Sequence, residues 1–417
     1  MELPERILYL LDEHRRKEID LRDVEALTRC EPSIIKGINR FFANKLAKEG
    51  ITTVRDLSQM TEKSLGAIED DVLLKWTMAA KILCSYADLK DVEKVAGQKR
   101  VILTGIDSAG KTSTLRSLQE MKTVLDPQPT PGVAAEKFLF IGHNLSVFDL
   151  GGQKTFREMY LKNPDDYFSE TMLLVFIIDV QSYSRFQEVF DYFEEVLGVL
   201  DLIGERPLIT VHFHKFDTHP KATLQANMSH IKQHIDKTLK EKGWTNVFFF
   251  NTSILEIRTI ISAFSTVFRA ISPMTQVLND TLRYYSELYD LHAAFIVSKR
   301  GMVISEYSTR MRSEDREQMF EDIYKEVVNS PEKIIRPDSR EFGEKQPSKR
   351  YVIRSYPTGT YIAITPLNVG SEGDLFLAML NQDLEKTPET FGDDFSQSID
   401  LWVRHLFLPS DATAITS

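Results

Sequence analysis

Gly105-Ile106-Asp107-Ser108-Ala109-Gly110-Lys111-Thr112 is the stretch that decides how this chain is read. Its spacing, G-x-x-x-x-G-K-[ST], suits a loop that wraps phosphate when a strand leads in and a helix leads out. Arg100 to Thr104 is a short apolar run fit for a buried strand, and Thr112 to Leu118 reads as a helix start. Glycines let backbone N–H groups turn toward phosphate oxygens where a Cβ would obstruct them, and the helix that follows adds its positive dipole end. On this reading Gly105, Asp107, Ser108, Ala109, Gly110 and Ser113 line the phosphates. Lys111 reaches the terminal ones, and the Thr112 hydroxyl ligates Mg²⁺.

Working outward, Leu145-Ser146-Val147-Phe148-Asp149-Leu150 alternates like a strand and ends beside an acid, with Gly151-Gly152-Gln153 directly behind it. A carboxylate at that edge can hold Mg²⁺ through a water, the Gly152 amide can sense a γ-phosphate, and Gln153 can orient an attacking water. Alone, Asp-Leu-Gly-Gly is also an ordinary strand-to-turn exit. A second strand-like run, Pro207 to Phe213, leads into His214-Lys215-Phe216-Asp217. A carboxylate at Asp217 can accept from the N1–H and the exocyclic amine of guanine. Adenine offers no such donor pair, so the contact selects the base. The Lys215 stem can cover base or ribose. A third strand, Val247 to Phe250, delivers Asn251-Thr252-Ser253-Ile254 as the last base-contacting loop.

In that order these motifs resemble a small GTPase from about Arg100 to Ser272, with two branches sharing the likeness. The phosphate loop and Asp149-Leu150-Gly151-Gly152-Gln153 resemble the Arf family. His214-Lys215-Phe216-Asp217 and the Thr252-Ser253-Ile254 loop are similar to the Rag/Gtr GTPases, which also use His where most relatives have Asn. The resemblance implies GTP and GDP as ligands, Mg²⁺ as cofactor, and an effector-loop threonine that closes over Mg²⁺ and the γ-phosphate. Thr130, in Gln128-Pro129-Thr130-Pro131-Gly132, is the candidate. Two departures bear on rate and affinity. His214 replaces the asparagine that commonly ties the base loop to the phosphate loop, and Asp107 stands where Ras-like members often have glycine. A carboxylate near the γ-phosphate adds a like charge, so slow hydrolysis relieved by an activating protein is expected. Arg157 reads as a solvated helix arginine in preference to an internal arginine finger.

At 417 residues with 42% hydrophobic content, the chain is long enough for two or three cored domains. A net charge of −10 argues against a nucleic-acid footprint. Two cysteines without metal-like spacing fit a reducing, cytoplasmic setting. No run approaches a membrane span and the start is not a signal peptide. Glu2 is incompatible with N-myristoylation and the end carries no prenylation cysteine, so membrane recruitment is expected only through partners.

The fold class is therefore α/β: a GTPase domain with a mostly parallel sheet and helices on both faces over 97–273, flanked by an all-α domain over 1–96 and an α/β domain over 274–417. The N-terminal part resembles helix-hairpin-helix/SAM-like domains, with Ile38, Phe41/Phe42 and Leu46 near one helix face, Gly50 as a C-cap and a short helix opening at Thr53. A protein-contact role is favoured there over DNA binding. In the C-terminal part, a helix from Met274 to about Leu291 precedes a hairpin turning at Lys299-Arg300-Gly301. A helix over about 312–329, strands over 350–356 and 360–365, and helices near 374–384 and 395–407 follow, with 330–348 as a loop. This order resembles the roadblock or longin-like folds, which dimerise, and Rag GTPases carry a roadblock domain in this place.

The leading expectation is a GTP/GDP-dependent switch working through activating, exchange and dimerising protein partners. The alternative is an assembly scaffold that binds nucleotide and scarcely turns it over. A DNA-associated GTPase rests on the N-terminal helices alone.

Overall fold

A computed structural model describes residues 24–60, 99–120, 130–140, 143–217, 220–271, 289–308, 313–329, 351–354, 361–367 and 375–381, with isolated positions within 11–15, 68–87, 275–287 and at 334. Backbone contacts divide the chain into two compact units, one centred on 97–271 and another taking in most of the rest.

Near the N-terminus the described residues include the α-helices α1 (Val24–Arg29), α2 (Arg40–Lys48) and α3 (Val54–Ser58). The Asn39 side chain caps α2 by accepting from the Phe42 amide, and Thr53 with Asp56 forms a capping box on α3. Leu27, Leu46, Val54 and Leu57 are buried, whereas Phe41, expected near the apolar face, is 60% exposed.

The unit around 97–271 is a six-stranded sheet in the order β2-β3-β1-β4-β5-β6. Its elements are β1 (Lys99–Thr104), α4 (Lys111–Glu120), β2 (Val133–Phe140), β3 (His143–Leu150), α5 (Lys154–Lys162), α6 (Pro164–Phe168), β4 (Thr171–Asp179), α7 (Phe186–Ile203), β5 (Leu208–His214), α8 (Lys221–Glu241), β6 (Val247–Thr252) and α9 (Ile257–Ile271). Only β2 runs antiparallel, as a hairpin partner of β3; every other neighbouring pair is parallel. Central β4 is apolar without a break from Met172 to Ile178 because helices cover the sheet on both sides. On one side Ile102, Leu174, Phe176, Ile178, Val211 and Phe213 join Phe190, Phe193 and Leu197 of α7 and Ile231 and Ile235 of α8 in one core. On the other, α9 packs against β6 and α4. The strand order reverses at β1, and ligands of open α/β sheets collect at the carboxyl ends of strands around such a point.

In the C-terminal part, β7 (Ala293–Ser298) and β8 (Val303–Ser308) turn through Gly301 at φ +76°, and α10 (Ser313–Asn329) follows. Three further strands, β9 (Tyr351–Arg354), β10 (Tyr361–Leu367) and β11 (Leu375–Asn381), complete a five-stranded sheet in the order β8-β7-β11-β10-β9. One expectation is overturned here. The segment read as a helix near 374–384 contains β11, which pairs antiparallel with β10 from Tyr361↔Asn381 to Leu367↔Leu375. Leu375 to Leu380 is apolar at every position, so it carries no 3.6-residue rhythm, and a strand buried on both faces needs none. The expected 395–407 helix and nearly all of the 330–348 loop lie outside the described residues; described positions within 275–287 are helical, with Leu278 and Leu282 buried. Among the described residues, no helix is long and apolar enough to cross a membrane.

Candidate nucleotide site

Strand β1 hands the chain to the phosphate loop through Gly105, at φ +143°. A Cβ on that residue would stand 2.3 Å from the Ile177 carbonyl oxygen of β4, so both backbone angle and space demand glycine. Ser108 and Gly110 also take left-handed angles, φ +63° and +100°, which bend the loop before α4 begins at Lys111. The first amides of a helix lack an intrahelical partner, and those of this ten-residue helix are the donors an anion would use. Lys111 curls back to donate from Nζ to the Gly105 carbonyl at 3.0 Å and the Ile106 carbonyl at 2.9 Å. Burial pulls its pKa down to about 8, against the opposing pull of Asp149. Ala109 in the loop and Ser113 in the first turn of α4 are both buried.

Next to the loop three oxygens converge. The register Leu103↔Asp149 sets Asp149 beside the end of β1. Its Oδ2 accepts from the Thr112 hydroxyl at 2.5 Å and the Thr130 hydroxyl at 3.0 Å, and the two hydroxyls lie 2.7 Å apart. Asp149 is 1% exposed and its Oδ1 has no hydrogen-bond partner among the described residues. Burial raises its pKa, opposed by the Thr112 hydrogen bond and the Lys111 charge. A buried carboxylate with an unpaired oxygen, flanked by two hydroxyls, is a hard-oxygen set suited to Mg²⁺. The residues fit the expected cation.

The glycine pair after β3 is held just as closely. The Gly151 amide donates to the Gly132 carbonyl at 2.8 Å, and Tyr160 donates its hydroxyl proton to the same oxygen at 2.8 Å. A Cβ on Gly152 would lie 2.3 Å from the Asp107 nitrogen, so this residue packs against the phosphate loop backbone. Gln153 is exposed at the N-cap of α5, its side chain making no capping bond. Arg157 departs from the solvated reading: it is 6% exposed, donates from Nε to the Gly152 carbonyl at 2.9 Å, lies 4.8 Å over the Tyr192 ring and pairs with Glu188. Those contacts engage its guanidinium within the protein, so the finger reading has no geometric support either.

On the base side, His214 ends β5 with Nδ1 3.0 Å from the Thr252 hydroxyl. Burial depresses its pKa to about 4, which leaves a neutral ring. Lys215, at φ +62°, reaches back to donate to the Ser108 carbonyl at 2.8 Å and to Asp179 Oδ2 at 2.7 Å. Thus its ammonium ties base loop, phosphate loop and the end of β4 together. Asp217 follows, half-buried. Ser253 is oriented by the Thr259 hydroxyl, which accepts from its amide at 2.9 Å, while its own Oγ accepts from the Leu255 amide at 3.0 Å; Ile254 lies half-buried between them in sequence.

Two residues of this arrangement escaped the sequence reading. Asp179 ends β4 as Asp149 nearly ends β3, and an acid closing an apolar strand was the available signal. Arg185 donates to both carboxylate oxygens of Asp107, at 2.7 and 3.3 Å, across 78 residues of chain, and no local pattern marks it.

A phosphate loop behind the first strand, a buried carboxylate near the end of the third and the His214 and Thr252 loops at the ends of the fifth and sixth belong to a P-loop G protein of the Arf/Rag type. Residues 100–328 match the Gtr1/RagA G protein conserved region, more than half of the chain, and the chain belongs to that family. Arf-like relatives match as well. ADP-ribosylation factor-like protein 3 of Chlamydomonas reinhardtii is 34% identical over 100 residues, which cover 24% of this chain and 54% of that protein. ADP-ribosylation factor-like protein 9 of Homo sapiens is 28% identical over 131 residues, 30% of this chain and 68% of that one. The E3 ubiquitin-protein ligase arc-1 of Caenorhabditis elegans is 32% identical over 114 residues, 27% of this chain and 20% of that one. The chain thus spans about half of the algal relative and a fifth of the nematode one. Among solved structures, the Arl6 BBS3 small GTPase from Trypanosoma brucei with bound GppNp is 21% identical, covering 42% of this chain and 98% of that one at a TM-score of 0.35.

Proposed function

We propose that this chain is a molecular switch that binds GTP and GDP with Mg²⁺ and hydrolyses GTP slowly unless a partner assists. The observation that carries the reading is the convergence of Thr112, Thr130 and Asp149 beside the buried Lys111, with Asp149 Oδ1 unpaired among the described residues. Lys111 and the amides of the phosphate loop bind the terminal phosphates. When bound, Mg²⁺ offsets the charge that develops on the phosphate oxygens. Asp217 selects guanine, while the bonds of Lys215 to Ser108 and Asp179 hold its loop in place. Gln153 orients the attacking water from the start of α5. Thr130 and Gly152 couple the terminal phosphate to the segments that carry them, so the output is conformational.

In the same reading the flanks are protein-contact modules. The five-stranded sheet with α10 supports a roadblock- or longin-like partner surface. Exchange and activating proteins act on the nucleotide site, and the setting is cytoplasmic, with membrane recruitment left to partners.

The test is binding and turnover of GTP and ATP by purified protein with Mg²⁺, alongside Asp217→Ala and Gln153→Leu. GTP selectivity lost in Asp217→Ala, with turnover lost in Gln153→Leu, is the expected result. ATP bound as tightly as GTP would remove the base assignment. Turnover unaffected by Gln153→Leu would remove Gln153 from the chemistry.

A further inference from the structure

Two arginines and two carboxylates form a closed chain between the phosphate loop and Gly152. Arg185 donates from Nη2 to Asp107 Oδ1 at 2.7 Å, and from Nη1 to Asp107 Oδ2 at 3.3 Å and the Asp107 carbonyl at 3.1 Å. The same guanidinium gives Nε and Nη2 to Glu188 Oε2, at 3.0 and 2.9 Å. Glu188 Oε1 takes the Arg157 Nη2 contact, and Arg157 Nε holds the Gly152 carbonyl at 2.9 Å. Charges balance within the set. A substitution of Gly152 would collide with the Asp107 amide, so both ends of the chain meet at the phosphate-loop backbone.

Asp107 is what makes this arrangement matter. An unpaired carboxylate there would repel the γ-phosphate and leave a diphosphate nearly untouched, since only the triphosphate extends to that end of the loop. Arg185 spends two donors on that carboxylate and one on its carbonyl, which turns the group toward α7 and neutralises it. The Glu188–Arg157 link then sets the direction of the Gly152 carbonyl and, through its peptide, of the adjoining backbone.

We propose that Arg185 is a positioning residue that discriminates nucleoside triphosphate from diphosphate by clamping Asp107 away from the terminal phosphate and, through Glu188 and Arg157, orienting Gly152. This rests on the guanine-nucleotide reading of the site. The experiment measures the affinities of the full chain for a non-hydrolysable GTP analogue and for GDP, with Mg²⁺, in wild type, Arg185→Ala, Arg185→Gln and Arg185→Ala/Asp107→Ala. Arg185→Gln keeps most of the stem and serves if Arg185→Ala does not fold. The single variants are expected to lose roughly five- to tenfold in triphosphate affinity with diphosphate affinity within about twofold, and the double variant to recover the ratio because the repelling charge is gone. Equal loss for both nucleotides, an unchanged ratio, or a double variant as impaired as the single would overturn the proposal while leaving the switch reading intact. A wild-type chain that binds neither nucleotide would overturn both.

Discussion

His214 and Gly110 share one gap: a methyl group on Gly110 would come within 2.5 Å of His214 Cδ2 and 2.7 Å of Nε2. Because the opposite edge of the ring meets the Thr252 hydroxyl, His214 is wedged between the phosphate loop and the last base loop. The imidazole thereby meets the phosphate loop, to which the resemblance has an asparagine tie this base loop, and adds a contact to the Thr252 loop. Gly110→Ala forces a clash and a strained φ at once, and is expected to weaken GDP binding by a factor of ten or more. His214→Ala opens the gap and is expected to speed GDP release with less effect on folding. Release of a fluorescent GDP analogue checks both; release unchanged in His214→Ala would show that the wedge does not act on nucleotide.

Acid should destabilise the fold through two buried histidines. Burial lowers the pKa of His214 to about 4 and of His212 to about 3, from an ordinary 6.5. Between those values the unfolded chain takes up protons that the folded chain refuses, so stability is complete above about pH 6.5 and falls as pH drops toward 4 and below. His212 meets the rings of Phe250 and Phe264, and its Nδ1 has no hydrogen-bond partner among the described residues. His212→Phe is therefore expected to flatten the decline measured by urea unfolding between pH 7 and pH 5. A slope equal to wild type would mean that other groups carry the acid sensitivity.

Asp149→Asn separates the cost of the carboxylate from its use. The amide oxygen still accepts from Thr112, while the buried charge disappears, so the melting temperature of the nucleotide-free protein should hold or rise. The gain in GDP affinity that Mg²⁺ confers should fall by about tenfold or more. Titration with and without EDTA reads the difference, and an undiminished Mg²⁺ effect would displace Asp149 from the cation site.

The C-terminal sheet depends on β11. Phe376 is fully buried in that strand, and Phe376→Ala is expected to cost about 3–5 kcal/mol. Hydrogen exchange offers a direct check: amides of 375–381 should be among the slowest in the wild type, and those of β10 opposite them should accelerate in the variant. Fast exchange throughout 375–381 in the wild type would contradict the strand.

How much of this was legible beforehand divides by the range of the interactions involved. Strands that end in motif residues were readable, because a parallel sheet covered on both faces favours short apolar runs, and those read over 100–104 and 207–213 fall on β1 and β5. β11 was misread for the same reason: continuous apolarity is shared by buried strands and buried helices, and only its neighbours distinguish them. Arg157 was misread because solvation depends on what lies opposite a side chain. Here that is Tyr192 and Glu188, carried on a helix well downstream.

By itself the sequence determined the chemistry available at the phosphates. Glycine spacing in a loop, a lysine and threonine at the start of a helix, and an acid closing a strand are short-range requirements, satisfied within a few consecutive residues. Tertiary structure decided how those pieces are joined. Lys215 meets Ser108 across 107 residues, Arg185 meets Asp107 across 78, and His214 meets Thr252 across 38. Such contacts form only when parallel strands bring their carboxyl ends to one edge of the sheet, so they leave no periodicity along the chain to be read.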